Sequence, residues 1–261
     1  MDPTPAPPSA PAVTAPPSKA AALEAIAAVE GWLSDAQASR LWDAARRAPG
    51  GGRIVEIGSF RGRSTVVLAA AAPPDAEVVA IDPHAGNDRG PQEIRGFEAA
   101  ASEDHEVFHA NLDAAGVGDR VRHVRKLSSD ATTDVAGPID ILYIDGAHRL
   151  RPARDDIRRW GDRVAPGGTL LVHDAFSSVG VTLALLTTTA VGRRFRYVGR
   201  SASLVELERT ELGAAARLAN LLHHAAQLPW FARNVLVKVA IVTRMRPLAR
   251  VLGHDGATWP Y

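Results

Sequence analysis

Five short segments, RIVEIG, EVVAID, RVRHVRK, IDILYID and GTLLVHD, are rich in branched apolar residues, and each runs into a polar or glycine-rich stretch. Apolar runs of this length suit strands buried on both faces, as in a parallel sheet. Between them lie helix-length segments, RSTVVLAAAA, GFEAAASEDHEVFHANLDAAG and LRPARDDIRRWGDRV. Such alternation predicts a doubly wound, mostly parallel α/β sheet. A last pair, RRFRYVG and SLVELER, reads as an antiparallel hairpin at its end. Ligands of such sheets bind beyond the carboxyl ends of the strands, near the switch in strand order. The candidate site is therefore drawn from Glu56 to Gly62, Asp82 to His84, Ser128 to Asp130, Asp145 to His148, and His173 with Asp174.

Three parts follow from composition. Residues 1–18 are almost wholly Pro, Ala, Ser and Thr and read as a disordered tail without the apolar run of a signal peptide. Residues 19–210 hold the α/β domain, preceded by two helices. The second of these opens on a capping box, Ser34 with Gln37, and stops at Pro49. Residues 211–261 form a basic, amphipathic helical extension. Its bases and branched residues suit an anionic membrane surface, and its apolar face equally suits docking on the core or on a second subunit. The net charge of +1 gives no general attraction to nucleic acid. With no cysteine, thiolate nucleophiles, disulfides and zinc–cysteine sites are excluded. A cytoplasmic protein, with membrane association through the extension, is the expectation.

At residues 55–64, V-E-I-G-S-F-R-G-R-S, Gly58 and Gly62 allow a tight strand-to-helix turn and close approach of a ligand. Their spacing is not that of a dinucleotide fingerprint. Glu56 suits a cationic amino-acid group, and Ser59 and Ser64 sit beside it at the turn. Asp82, closing the second strand, is placed to accept two ribose hydroxyls.

These stretches, with I-D-P-H, I-D-G-A-H and A-P-G-G-T-L-L-V-H-D, resemble the class I S-adenosylmethionine (SAM)-dependent methyltransferases over roughly residues 50–175. The closer likeness is to the O-methyltransferase branch containing catechol O-methyltransferase, and to bacterial enzymes near the cephalosporin hydroxylases. The resemblance implies a Rossmann-like methyltransferase fold. It also implies that Glu56, Gly58, Ser59, Gly62 and Ser64 surround the methionine part of SAM, that Asp82 holds the ribose, and that Ser129 and Asp130 meet the adenine. The last two residues equally suit a helix N-cap. The resemblance further gives Asp145 to a divalent metal and the residue three positions on, here His148, to proton abstraction, although lysine is usual there. His148 is otherwise a helix cap. His173 and Asp174 replace the usual acid and amide, so the ligand set Asp145, His173, Asp174 departs from the pattern. Oxygen ligands favour magnesium, while histidine favours manganese or another transition ion, or else His173 is a second proton acceptor.

The expected activity is SAM-dependent methylation of a hydroxyl on a small molecule or saccharide, with a divalent cation assisting. An aromatic content of 5% offers little for a stacking pocket and favours a sugar. The competing readings are an oxidative enzyme on the same fold and a non-catalytic SAM-domain scaffold at a membrane.

Overall fold

The computed structural model describes residues 18–85 and 98–254; of the tail expected at 1–18 only Ser18 is among them, as the N-cap of the first helix. Seven strands form one sheet in the order β3-β2-β1-β4-β5-β7-β6. β1 (Arg53–Ile57), β2 (Glu77–Ile81), β3 (Val121–Val124), β4 (Ile139–Ile144) and β5 (Val164–Val172) are parallel. β6 (Phe195–Ser201) and β7 (Leu204–Arg209) form the expected hairpin, with β7 antiparallel to β5. The chain winds outward from β1 through β2 to β3, then restarts at β4, so the switch point lies between β1 and β4.

Helices α1 (Lys19–Ala25), α2 (Asp35–Ala45), α3 (Arg63–Ala71), α4 (Glu98–Ala114) and α5 (Leu150–Gly161) follow the sequence segments predicted as helical. The capping box of Ser34 and Gln37 opens α2 as the spacing predicts. One α-helix was not legible: α6 (Val179–Leu185), continued by a π-helical stretch over Leu186–Ala190. Its threonines donate back to carbonyls four residues earlier, Thr187 to Leu183 and Thr188 to Ala184, a pattern that loosens a helix rather than advertising one. The core lies on both faces of the sheet. One layer joins α1, α2 and α3 with Ile54, Val78 and Tyr143, and the other joins α5 and α6 with Val55, Leu142 and Leu170.

The C-terminal extension is helical: α7 (Ala214–Ala225), α8 (Leu228–Val242) and α9 (Arg246–Val251). α7 docks through polar groups. Asn220 accepts from the Tyr197 amide at 2.8 Å and donates to the Thr189 carbonyl at 2.9 Å, and buried His224 sits one turn later. Its leucines, Leu218 and Leu222, are both 59% exposed, so its apolar face points away from the domain. α8 braces the turn after β5, with Asn234 donating to the Phe176 carbonyl and Lys238 to that of Ser177. No helix among the described residues is long and apolar enough to cross a membrane.

Candidate active site

Each strand end hands its last backbone bond to a neighbour. The Gly58 amide donates to Ile81, Asp145 to Ile57, Asp82 to Val124 and His173 to Ile144. The polar residues that follow β1, β2, β4 and β5 are thus held at one edge of the sheet. Gly58 has φ +84°, and a β-carbon there would lie 2.3 Å from the Asp145 carbonyl oxygen. Only glycine lets the β1 turn press against the Asp145–Gly146 peptide.

The glycine turn is clamped from β2. Asp82 accepts the Phe60 amide at 2.9 Å on one oxygen and the His84 amide at 2.8 Å on the other. Ser59 is buried and its hydroxyl has no hydrogen-bond partner among the described residues. Gly62, at φ +87°, opens α3, whose first residues include Ser64 and Thr65. Glu56 departs from its expected setting. It is fully buried and its two oxygens accept from the Ser64 and Thr65 hydroxyls, so it faces the start of α3 rather than open space. Burial pushes this carboxyl up to about 8, against the two hydroxyls that favour its charge. Its contacts anchor the start of α3.

Beyond β3, Ser129 and Asp130 are exposed and the Ser129 hydroxyl donates to the Asp130 carboxylate at 3.0 Å. Neighbouring Ser128 is tied to α5. Its hydroxyl donates to Asp156 at 2.5 Å, its carbonyl accepts from Trp160, and burial pushes Asp156 up to about 6.

The densest polar cluster sits over β4 and β5. Ligand atoms of Asp145, His148 and Asp174 lie within 4.8 Å of one another. The Tyr143 hydroxyl donates to Asp145 Oδ2 at 2.9 Å, and His148 Nε2 lies 2.9 Å from Asp174 Oδ2. Asp174 has φ +55°, a left-handed backbone that aspartate tolerates better than most residues. His148 is positioned by α6, since Ser178 donates to its carbonyl at 3.2 Å and Gly180 packs where a β-carbon would meet that oxygen. Burial lowers the His148 imidazole, but its bond to Asp174 and the charges of Asp174 and Asp145 outweigh this, and the net shift is upward.

His173 is the second departure. Its Nδ1 lies 3.2 Å from Asp145 Oδ1 and 3.6 Å from Asp174 Oδ2, with the side chain 2% exposed. Its Nε2 lies 3.2 Å from the amide nitrogen of Gln37. The Gln37 carbonyl oxygen is taken by the Ser34 amide at 2.8 Å, which fixes the NH2 group toward His173 and the Ser203 hydroxyl. His173 Nε2 must therefore accept, and the ring proton is on Nδ1, facing the carboxylates. Against burial, Asp145 and Asp174 raise the proton affinity of His173 well above the ordinary value. His173 and His148 in turn hold Asp174 well below the usual carboxylate range, although burial opposes them. His173 thus presents Nδ1 to the two carboxylates, beside the group of Asp145, His148 and Asp174 whose ligand atoms lie within 4.8 Å of one another. Gln37, Tyr143 and helix α6, whose start positions His148, were missed as site components. Gln37 gave a helix-cap signal only, because its second contact is 136 residues away.

Residues 55–175 match the family model of a methyltransferase domain. Among curated proteins, the catechol O-methyltransferase of Mycobacterium tuberculosis (strain ATCC 25618 / H37Rv) is 31% identical over 133 residues, 51% of this chain and 51% of that protein. The chain thus matches about half the length of that relative. Among solved structures, an O-methyltransferase from Bacillus cereus in complex with SAH has a TM-score of 0.54 at 16% identity, covering 74% of this chain and 92% of its own. A protein from Corynebacterium glutamicum has a TM-score of 0.56 at 15% identity, covering 75% and 92%. Both likenesses concern the fold.

Proposed function

We propose that the chain is a class I methyltransferase that transfers the methyl group of SAM to a hydroxyl of a small molecule or saccharide, a reading supported by the match of residues 55–175 to a methyltransferase domain model. The contact of Gly58 with the Asp145–Gly146 peptide carries this reading. It sets the glycine turn that would hold the sulfonium side of SAM directly against the acid–histidine cluster that would receive the acceptor.

In this reading Gly58, Ser59, Gly62 and Ser64 surround the amino-acid part of the cofactor, with Glu56 positioning Ser64 from behind. Asp82 spends one lone pair of each oxygen on a backbone amide and keeps others for the ribose hydroxyls. Exposed Ser129 and Asp130 border the adenine. His148 is the proton acceptor. Asp174 holds its Nε2–H, which leaves the lone pair on Nδ1 for the acceptor hydroxyl. The remaining demand on the site is alignment of oxygen, methyl carbon and sulfur.

The donor set fits a divalent cation through Asp145 and Asp174. The two carboxylates are close enough to share an ion, and each retains free lone pairs beside its protein partners. Such an ion, magnesium or manganese, would lower the pKa of a bound hydroxyl. A saccharide acceptor is favoured by the polar, aromatic-poor character of the cluster. The outward leucines of α7 support contact of the extension with a second copy of the chain or with a membrane surface.

The test is incubation of the chain with SAM and saccharide-containing extracts, read by mass spectrometry. A gain of one methyl group on a hydroxyl, absent with His148→Ala, is expected. Binding of SAM without methyl transfer to any hydroxyl acceptor would overturn the proposal.

A further inference from the structure

Four histidines that play no part in the proposed reaction meet at the outer edge of the β2–β3 half of the sheet. His84 follows β2, His123 lies in β3, and His105 and His109 stand four residues apart on α4. Ring centroids are 4.9 Å apart for His84 and His123, 5.5 Å for His84 and His105, 5.3 Å for His105 and His123, and 4.8 Å for His105 and His109. One nitrogen from each of His84, His105 and His123 lies within 4.8 Å of the others.

Hydrogen bonding sets these rings apart from an ordinary packed cluster. His84 Nε2 lies 2.8 Å from the Phe60 carbonyl oxygen, which can only accept, so Nε2 carries the proton. Its Nδ1 then holds a lone pair that is buried and has no partner among the described residues. His123 repeats the arrangement, with Nε2 3.3 Å from the Asp82 carbonyl and Nδ1 left as acceptor. A backbone carbonyl behind an imidazole is the usual outer partner of a metal-bound histidine, because it fixes the tautomer and aims the other nitrogen. His84 also adopts φ +45°, an uncommon backbone for a side-chain-bearing residue, in presenting its ring.

We propose that His84, His105 and His123 bind a divalent transition-metal ion of the zinc type, with His109 beside the fourth coordination position. Imidazole nitrogens select such ions over magnesium or calcium, which prefer oxygen. Arg125 is the cation facing His105, and Glu106 on α4 partly offsets it. The ion would tie α4 to the ends of β2 and β3. Because His84 and Asp82 share the same turn, it would also fix the loop that carries the proposed ribose carboxylate. This site is separate from the Asp145–His148–Asp174 cluster, and its role is structural.

The test uses the tag-free full chain, stripped with chelator and titrated with zinc, with bound metal measured by elemental analysis after gel filtration. Asp145→Asn with Asp174→Asn should retain one zinc per chain. His105→Ala with His123→Ala should lose it, with affinity at least a hundredfold weaker. His105→Gln, a change at a half-exposed side chain, should weaken binding in the same direction if the double variant does not fold. Zinc should raise the melting temperature of the wild type and leave that of the histidine variant unmoved. No retained zinc in the wild type, or equal retention by the histidine variants, would overturn the proposal.

Discussion

Nε2 of His173 and the amide nitrogen of Gln37 lie 3.2 Å apart, and this pairing fixes which face of the imidazole carries its proton. Gln37 can hold that orientation because α2 is fastened to the sheet. Arg40 and Arg47 both pair with Glu206 on β7, the former at 2.5 Å, and the Ser203 hydroxyl accepts from the same Gln37 amide at 3.1 Å. The first helices of the domain thus reach the site from its far side.

Gln37→Leu should therefore act at two places. It removes the reciprocal half of the α2 capping box, the bond from the Ser34 amide to the Gln37 side chain, at about 0.5–1.5 kcal/mol, and it leaves His173 Nε2 buried without a donor, at about 1–3 kcal/mol. Urea unfolding should show the combined loss. A change below about 0.5 kcal/mol would mean that the His173 pairing has no hold on the fold.

Methyl transfer should rise with pH as His148 loses its proton. Because Asp174 and Asp145 raise this histidine against the effect of burial, the midpoint should lie above the ordinary 6.5. Asp174→Asn removes the largest raising influence and leaves burial, so the midpoint should move down. His148→Ala should keep SAM affinity and cut turnover by roughly 10²–10⁴. An unmoved profile in Asp174→Asn would detach His148 from the rate.

Asp82→Ala should weaken SAM binding at least tenfold in a calorimetric titration, since charge-assisted bonds contribute about 1.5–3 kcal/mol each. The same change frees the Phe60 and His84 amides. Asp82→Asn, which keeps acceptor capacity, should lie between wild type and alanine. Equal affinities in all three would remove Asp82 from the cofactor site.

Glu56 should give the protein a pH-dependent stability. Below 4.5 the folded and unfolded states both carry its proton, so it has no effect on the slope there. Between 4.5 and about 8 the folded state keeps a proton that the unfolded state has lost, so stability falls as pH rises. The slope is on the order of 1 kcal/mol per pH unit. Glu56→Gln should flatten it. Melting curves at pH 5 and pH 8 that shift equally in both proteins would contradict a protonated Glu56.

The sequence by itself determined the sheet and the edge on which the polar residues gather. Continuous apolar strands are legible because burial on both faces leaves them no polar alternative, and period alone then puts Asp82, Asp145 and Asp174 at strand ends. The glycines at 58 and 62 were legible for a similar reason, since few residues accept φ near +85°. What the tertiary structure decided was direction and protonation. Glu56 turns inward because Ser64 and Thr65 cap it, and His173 becomes an N–H donor because a helix 136 residues earlier supplies an amide. Of the four histidines only His105 and His109 share a legible spacing, the helical H-E-V-F-H of residues 105–109; His84 and His123 lie outside it and join the cluster only in the folded chain. Local pattern records which residues must be buried. Side-chain tautomers and ligand clusters depend on contacts between distant segments, and those exist only after folding has closed the loops between them.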